Sequence, residues 1–175
     1  MTTATGPSAR TELRPTQRIP RWFLRVPELV FTLHLSRFVP RLVMIVTTGR
    51  RTGRPRRVVL DVARDDGRTL WVLAGDGYQA RWLKNLLADP RCEIRHRGRR
   101  YAALATVTAP DATREAGDLA GDLAVEIYRR RRFYTTVMYL LIGERIHGEK
   151  DVRRLSAGTV PVAFEHISPE LNADR

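Results

Sequence analysis

Residues 47–57 read T-T-G-R-R-T-G-R-P-R-R, which puts five arginines, two glycines and a proline into eleven positions. A guanidinium is a planar fork of donors that grips phosphate or carboxylate in bidentate fashion, and it stays charged at any physiological pH. The glycines and the proline predict a turn, and backbone amides beside Gly49 and Gly53 are offered to an anion. No side chain in the stretch can serve as a base or as a metal ligand. The chemistry on offer is therefore binding of a polyanion, and the plain alternative is a solvated hairpin tip in an arginine-rich chain.

No other part of the sequence concentrates chemistry so strongly. His34, His96, His147 and His166 are scattered and stand alone, so no metal site is expected. His96 and the run R-R-R-R at 129–132 are read as facing solvent. The single cysteine, Cys92, excludes an internal disulfide and is read as an inert strand residue, because nothing beside it would poise a thiolate. A reducing cytoplasm is the default compartment, and the first residues lack the apolar core of a signal peptide. The net charge is +12, and Lys84 and Lys150 are the only lysines. Codon bias and anion recognition both produce such a surplus, and charge alone does not choose among nucleic acid, an anionic membrane and a polyanionic cofactor. Nucleic acid is disfavoured because the aromatics fall in expected core elements instead of alternating with arginines along a face.

The elements that must hold the arginine turn follow from periodicity. The chain has 175 residues, 43% of them hydrophobic, enough for one domain with a core. Residues 1–20 read as a mobile arm. Residues 21–41, apolar but interrupted by Arg25, Glu28, His34 and Arg37, read as an amphipathic helical segment stopped before Pro40, too charged to span a bilayer. It either packs on the core or lies on a membrane surface. Strands are expected at 42–48, 57–63, 69–75, 91–97, 100–108 and 160–167, the last with its proline at a first or edge position. A short helix is expected at 80–90, a long one after an N-cap at Asp111, an apolar continuation at 133–143 and one more turn at 152–155. Hairpin connections dominate, which favours an antiparallel sheet or barrel over βαβ units.

Taken together, the turn T-T-G-R-R-T-G-R-P-R-R, the element R-W-L-K-N-L-L-A-D-P and the closing V-P-V resemble the deazaflavin (coenzyme F420)-dependent nitroreductase family over roughly residues 38–167. The resemblance implies an α+β fold, a split β-barrel of the FMN-binding kind with peripheral helices. It assigns Arg50, Arg51, Thr52 and Arg56 to the coenzyme's phosphate and acidic tail. It runs Arg57 and the backbone of Val58, Val59 and Leu60 beneath the ring system, with Leu73, Ala74 and Gly75 at a strand end under the ring. It sets Trp82 and Asn85 beside the cofactor, and Asn85 within a helix suggests a specific hydrogen bond. Two departures stand out. Val59 replaces a proline common in relatives, and Ala74 replaces a serine thought to assist protonation there. The proton donor is thus unassigned. Tyr128, Tyr134 and Tyr139 lie where relatives carry substrate-pocket tyrosines, although core packing accounts for each. Tyr128 and Tyr134 are the catalytic candidates.

The function implied is hydride transfer from reduced coenzyme F420, an 8-hydroxy-5-deazaflavin, to a small electron-poor acceptor such as a quinone, nitro compound or activated alkene. FMN is the second choice, because its one phosphate needs fewer arginines. The third is a non-enzymatic lipid, haem or cofactor-binding module on the same fold. The domain plan has the cofactor-binding barrel at 42–167 and a tail at 168–175, with a peripheral membrane attachment through residues 22–41 compatible with any of these readings.

Overall fold

The computed structural model describes residues 41–108, 113–141 and 143–167. The expected arm at 1–20, the helical segment up to residue 40, the N-cap at Asp111 and the tail at 168–175 lie outside the described residues. Strands β1 (Leu42–Thr48), β2 (Pro55–Asp65), β3 (Thr69–Ala74), β4 (Arg91–His96), β5 (Arg99–Val107) and β6 (Val160–His166) close into one antiparallel barrel in the order β1-β2-β3-β6-β5-β4. Closure of the strand order removes the free outer edges of an open sheet, although the β2–β3 ladder spans only the C-terminal part of β2. Val43, Ile45, Leu70, Val72, Ile94, Val162 and Phe164 alternate inward and fill its interior. The helix α1 (Arg81–Ala88) plugs one end through buried Leu83 and Leu86.

The remaining helices are α2 (Thr113–Arg130), α3 (Arg132–Leu141) and α4 (Glu149–Ser156). A second apolar cluster of Ala124, Val125, Tyr128, Ile146 and Val152 joins them to the outer side of β3 through Leu73, with Tyr139 and Leu155 at its edge. The expected continuation after the long helix is a separate helix, broken at Arg131. The expected single turn at 152–155 is a full eight-residue helix. Among the described residues no helix is long and apolar enough to cross a membrane.

Three expectations need correction. Strand β2 begins at Pro55 and not at Arg57, because Pro55, Arg56 and Arg57 pair with Thr48, Thr47 and Val46 of β1. Strand β6 is not an edge strand, since it lies between β3 and β5. Pro161 is tolerated because the β5 ladder stops at Val162, so the missing N–H falls past its end. His96 does not face solvent. It is only 5% exposed, its Nδ1 lies 3.0 Å from the Leu42 carbonyl, and its Nε2 lies 3.4 Å from an Asp65 carboxylate oxygen. Burial pushes its pKa below the ordinary value, against the pull of the Leu42 carbonyl and Asp65. Cys92 is a buried strand residue whose thiol burial pushes up to about 12, and its Sγ contacts the Ala103 carbonyl at 3.6 Å. At neutral pH it remains an unreactive thiol.

Candidate functional site

The arginine turn closes tightly on itself. Gly49 N–H donates to the Arg54 carbonyl at 2.9 Å, and the amides of Thr52 and Gly53 both donate to the Gly49 carbonyl. Gly53 adopts φ +65°, and a Cβ on Gly49 would sit 2.9 Å from the Arg54 carbonyl oxygen, so both positions require glycine. The sequence offered the amides of Gly49 and Gly53 to an anion. The structure uses them inside the turn, so a phosphate here must be held chiefly by side chains.

Asn85 anchors the turn from α1. It is 6% exposed. Its Oδ1 accepts from the Arg50 backbone N–H at 3.3 Å and from Arg50 Nη1 at 3.1 Å, and its Nδ2 donates to Thr47 Oγ1 at 3.1 Å. The Thr47 hydroxyl in turn donates to the Arg56 carbonyl at 3.4 Å. One buried amide thus ties together the end of β1, the turn, the start of β2 and a helix. The expected specific hydrogen bond of Asn85 exists, and it is made to the protein.

The turn gathers arginines that no described carboxylate holds, in contrast to several on the barrel and helices. Arg64, Arg95, Arg100, Arg129, Arg130, Arg131 and Arg153 each hold a carboxylate at 2.5–2.9 Å. Among the described residues no carboxylate pairs with Arg51, Arg54, Arg56 or Arg57, all of which are exposed. Like charges crowded on one hairpin repel each other, and nothing within the described chain offsets that repulsion.

Beside this charge the barrel wall opens. From Pro55 to Asp61, β2 pairs only with β1 among the described strands. Its ladder with β3 begins at Val62, after which the register shifts before Arg64. Among the described residues, the N-terminal half of β2 therefore presents an unpaired backbone edge along Arg57–Leu60. Val58 and Leu60 of that half pack against the barrel interior, as does Trp82 of α1. Ala74 is buried, Leu73 faces the helical cluster, and Gly75 is exposed with no atom within 4 Å of where a Cβ would stand. The structure so assembles arginines, an open strand edge, an apolar wall and free space at a strand end. A polyanion attached to a flat ring system needs this combination.

Over the outer face of β2 lies a cluster that sequence reasoning missed. Asp61 Oδ1 holds Arg131 Nη1 at 2.7 Å, and its Oδ2 accepts from the Tyr134 hydroxyl at 3.0 Å. Arg131 also lies over the Tyr134 ring, 5.3 Å from its centroid. The run 129–132 was expected in solvent, yet the Arg131 side chain is 13% exposed. Its signal in the sequence was Asp61 inside the apolar run from Val58 to Ala63, an acid that needs a cation nearby. The tyrosine candidates separate. Tyr128 is buried in the helical cluster with its hydroxyl accepting from Arg132 Nε, and Tyr139 bonds Ser156. Tyr134 is half-exposed beside the open edge, contrary to a pure core role. Burial, followed by the neighbouring Asp61 charge, pushes its phenol pKa well up.

A cavity of about 460 Å³ lies at the other end of β2, lined by Asp66, Gly67, Arg68, Thr69, Glu165 and His166. An eleven-residue strand separates it from the arginine turn, about 30 Å at the usual rise, so it is no part of this site. Among the described residues no group of three or more His, Cys, Asp and Glu could hold a metal ion.

Comparison with known proteins sets these features in a family. The sequence model of the F420H(2)-dependent quinone reductases matches residues 29–133. No curated protein matches the chain. Among solved structures, a putative pyridoxamine 5'-phosphate oxidase from Listeria innocua superposes with a TM-score of 0.50 at 11% identity, covering 83% of this chain and 99% of its own. That likeness supports the split-barrel fold alone. An F420-H2 dependent reductase, FDR-A, aligns at 20% identity over 71% of this chain and 93% of its own with a TM-score of 0.43. The haem storage protein HutZ of Vibrio cholerae aligns at 13% identity over 80% of this chain and 91% of its own, at 0.47.

Proposed function

Because the chain belongs to the F420H(2)-dependent quinone reductase family, we infer that it is an oxidoreductase that uses reduced coenzyme F420 to reduce a quinone or another small electron-poor acceptor, such as a nitro compound or an activated alkene. The observation that carries the site assignment is the uncompensated charge of the hairpin. Among the described residues, Arg51, Arg54, Arg56 and Arg57 stand together on one hairpin without a carboxylate partner, whereas ten other arginines hold one. A coenzyme with a phosphodiester and several carboxylates supplies the partners that are missing.

In this reading Arg50, Arg51, Thr52 and Arg56 hold the phosphate and tail. Arg57 and the free backbone edge of Val58, Val59 and Leu60 run along the ring. Leu73, Ala74 and Gly75 form the strand end beneath it, and Trp82 closes the apolar wall. Asn85 acts by holding the hairpin in place, not by touching the coenzyme. The bound coenzyme supplies a hydride, and reduction of a quinone to a hydroquinone also consumes a proton. In this reading Tyr134 gives it. Its phenol stays protonated throughout the neutral range, and Asp61 fixes its hydroxyl over the outer face of β2, beside the strand edge along which the ring would run.

Titration with the deazaflavin coenzyme and, separately, with FMN tests the cofactor. The acidic tail adds charge-assisted contacts that FMN lacks, so the deazaflavin binds at least about tenfold more tightly. Equal affinities, or FMN copurifying at full occupancy, would overturn the assignment. Turnover tests the proton donor. Tyr134→Phe lowers it by about 10²-fold at saturating coenzyme, the usual range for a lost general acid. Coenzyme affinity is unchanged, and Tyr128→Phe turns over normally. Equal losses in the two variants would return both tyrosines to the core.

A further inference from the structure

Helix α3 carries an apolar stripe that nothing in the described chain covers. Phe133 is 85% exposed and Leu140 59% exposed, and the half-buried Val137 stands between them at helical spacing. The other sides of the helix are occupied, Tyr134 being turned to Asp61 and Tyr139 packed into the helical cluster. Large side chains aligned in this way mark a contact surface.

The path of the backbone indicates what covers it. Strand β1 starts at Leu42, directly opposite Asp61. The residue before it, Arg41, accepts a hydrogen bond through its carbonyl from Val62 N–H at 2.8 Å. Asp61 is the same residue that holds Arg131 and Tyr134 at the start of α3. The polypeptide that precedes β1 therefore arrives beside the N-terminal end of the uncovered stripe. That polypeptide is unusually apolar, with Trp22, Phe23, Leu29, Phe31, Leu33 and Leu35. The family match begins at residue 29, inside this segment, so its second half belongs to the pattern that defines the domain. A ten-residue helix is about 15 Å long, well within the span of a segment of this length.

We propose that residues 22–38 of this same chain dock on the Phe133–Val137–Leu140 face of α3. Burying the stripe and the segment against each other removes both apolar surfaces from water at once, with the short link at residues 39–41 keeping the partners at high effective concentration. The docking is independent of the cofactor assignment and would stand if that assignment failed.

Limited trypsin digestion of the full chain without cofactor tests it, because Arg25 and Arg37 are cleavage sites inside the segment. In the wild-type protein these two sites are cut about tenfold more slowly than in a Phe133→Asp/Leu140→Asp variant, since cleavage follows the population of the undocked form. Circular dichroism shows both barrels folded, as the replaced side chains are exposed. Reciprocally, Leu29→Asp/Phe31→Asp speeds amide hydrogen exchange in α3 and not in β1–β6. Equal cleavage rates in wild type and the α3 variant overturn the proposal. Flotation of the wild type, but not of that variant, with phosphatidylserine vesicles alongside equal cleavage would make a lipid surface the occupant. A wild-type dimer that the variant converts to monomer would make it a second copy. Either result sinks the intramolecular docking.

Discussion

Replacing Arg51 and Arg56 together by alanine lowers the affinity for coenzyme F420 by at least about a hundredfold, because each charge-assisted contact contributes about 1.5–3 kcal/mol. Both side chains are exposed, and no carboxylate in the described structure depends on either. The melting temperature of the cofactor-free protein therefore stays within about 2 °C of wild type, as for surface substitutions generally. Relief of repulsion within the hairpin acts in the stabilising direction. Arg129→Ala is the control. It removes an equal charge from the helical side, where Arg129 is bound to Glu149 at 2.7 Å, and it leaves coenzyme affinity unchanged. Titration by fluorescence together with thermal denaturation decides the matter. A large loss of stability without coenzyme would make these arginines structural, and an unchanged affinity would remove the hairpin from the site.

The barrel was legible because its strands obey the rules that make strands visible. L-V-M-I-V-T-T is an apolar β-branched run and T-L-W-V-L-A lies between glycine-containing turns, and the structure places both as read to within a residue. The start of β2 was not legible. Arginine and proline carry no strand signal, and residues 55–57 are held extended by pairing with Thr48, Thr47 and Val46, which is tertiary information. His96 and Arg131 failed for the same kind of reason. Each reads as a surface residue in its own segment. Each is buried by a partner distant in sequence, Asp65 for the histidine and Asp61 for the arginine. Local turn geometry also hid the fate of the Gly49 and Gly53 amides, because a glycine pair announces freedom of backbone without saying which carbonyl will accept. The arginines themselves were legible as binders. What the sequence could not show was that the acids of the described residues are distributed so as to leave them unpaired.

Asn85→Leu separates support of the hairpin from contact with the coenzyme, since the two roles predict opposite results in the cofactor-free protein. Leucine fits the volume of the site but offers no partner to Thr47 Oγ1, which is 1% exposed, or to the Arg50 amide. A buried polar group left without its partner costs about 1–3 kcal/mol, which lowers the melting temperature by about 3–10 °C in a chain of this size. The coenzyme affinity falls as well, although the replaced side chain touches only protein, because the turn bearing Arg51 and Thr52 loses its anchor to α1. Asn85→Asp sharpens the comparison. Its carboxylate keeps both contacts to Arg50 and loses the donor to Thr47, so it retains more stability than leucine while placing a negative charge against the anion site. Stability nearer to wild type with affinity as poor as in the leucine variant is the expected pattern. If the leucine variant melts with wild type and only coenzyme binding is lost, Asn85 is a ligand of the coenzyme and the anchoring role is wrong.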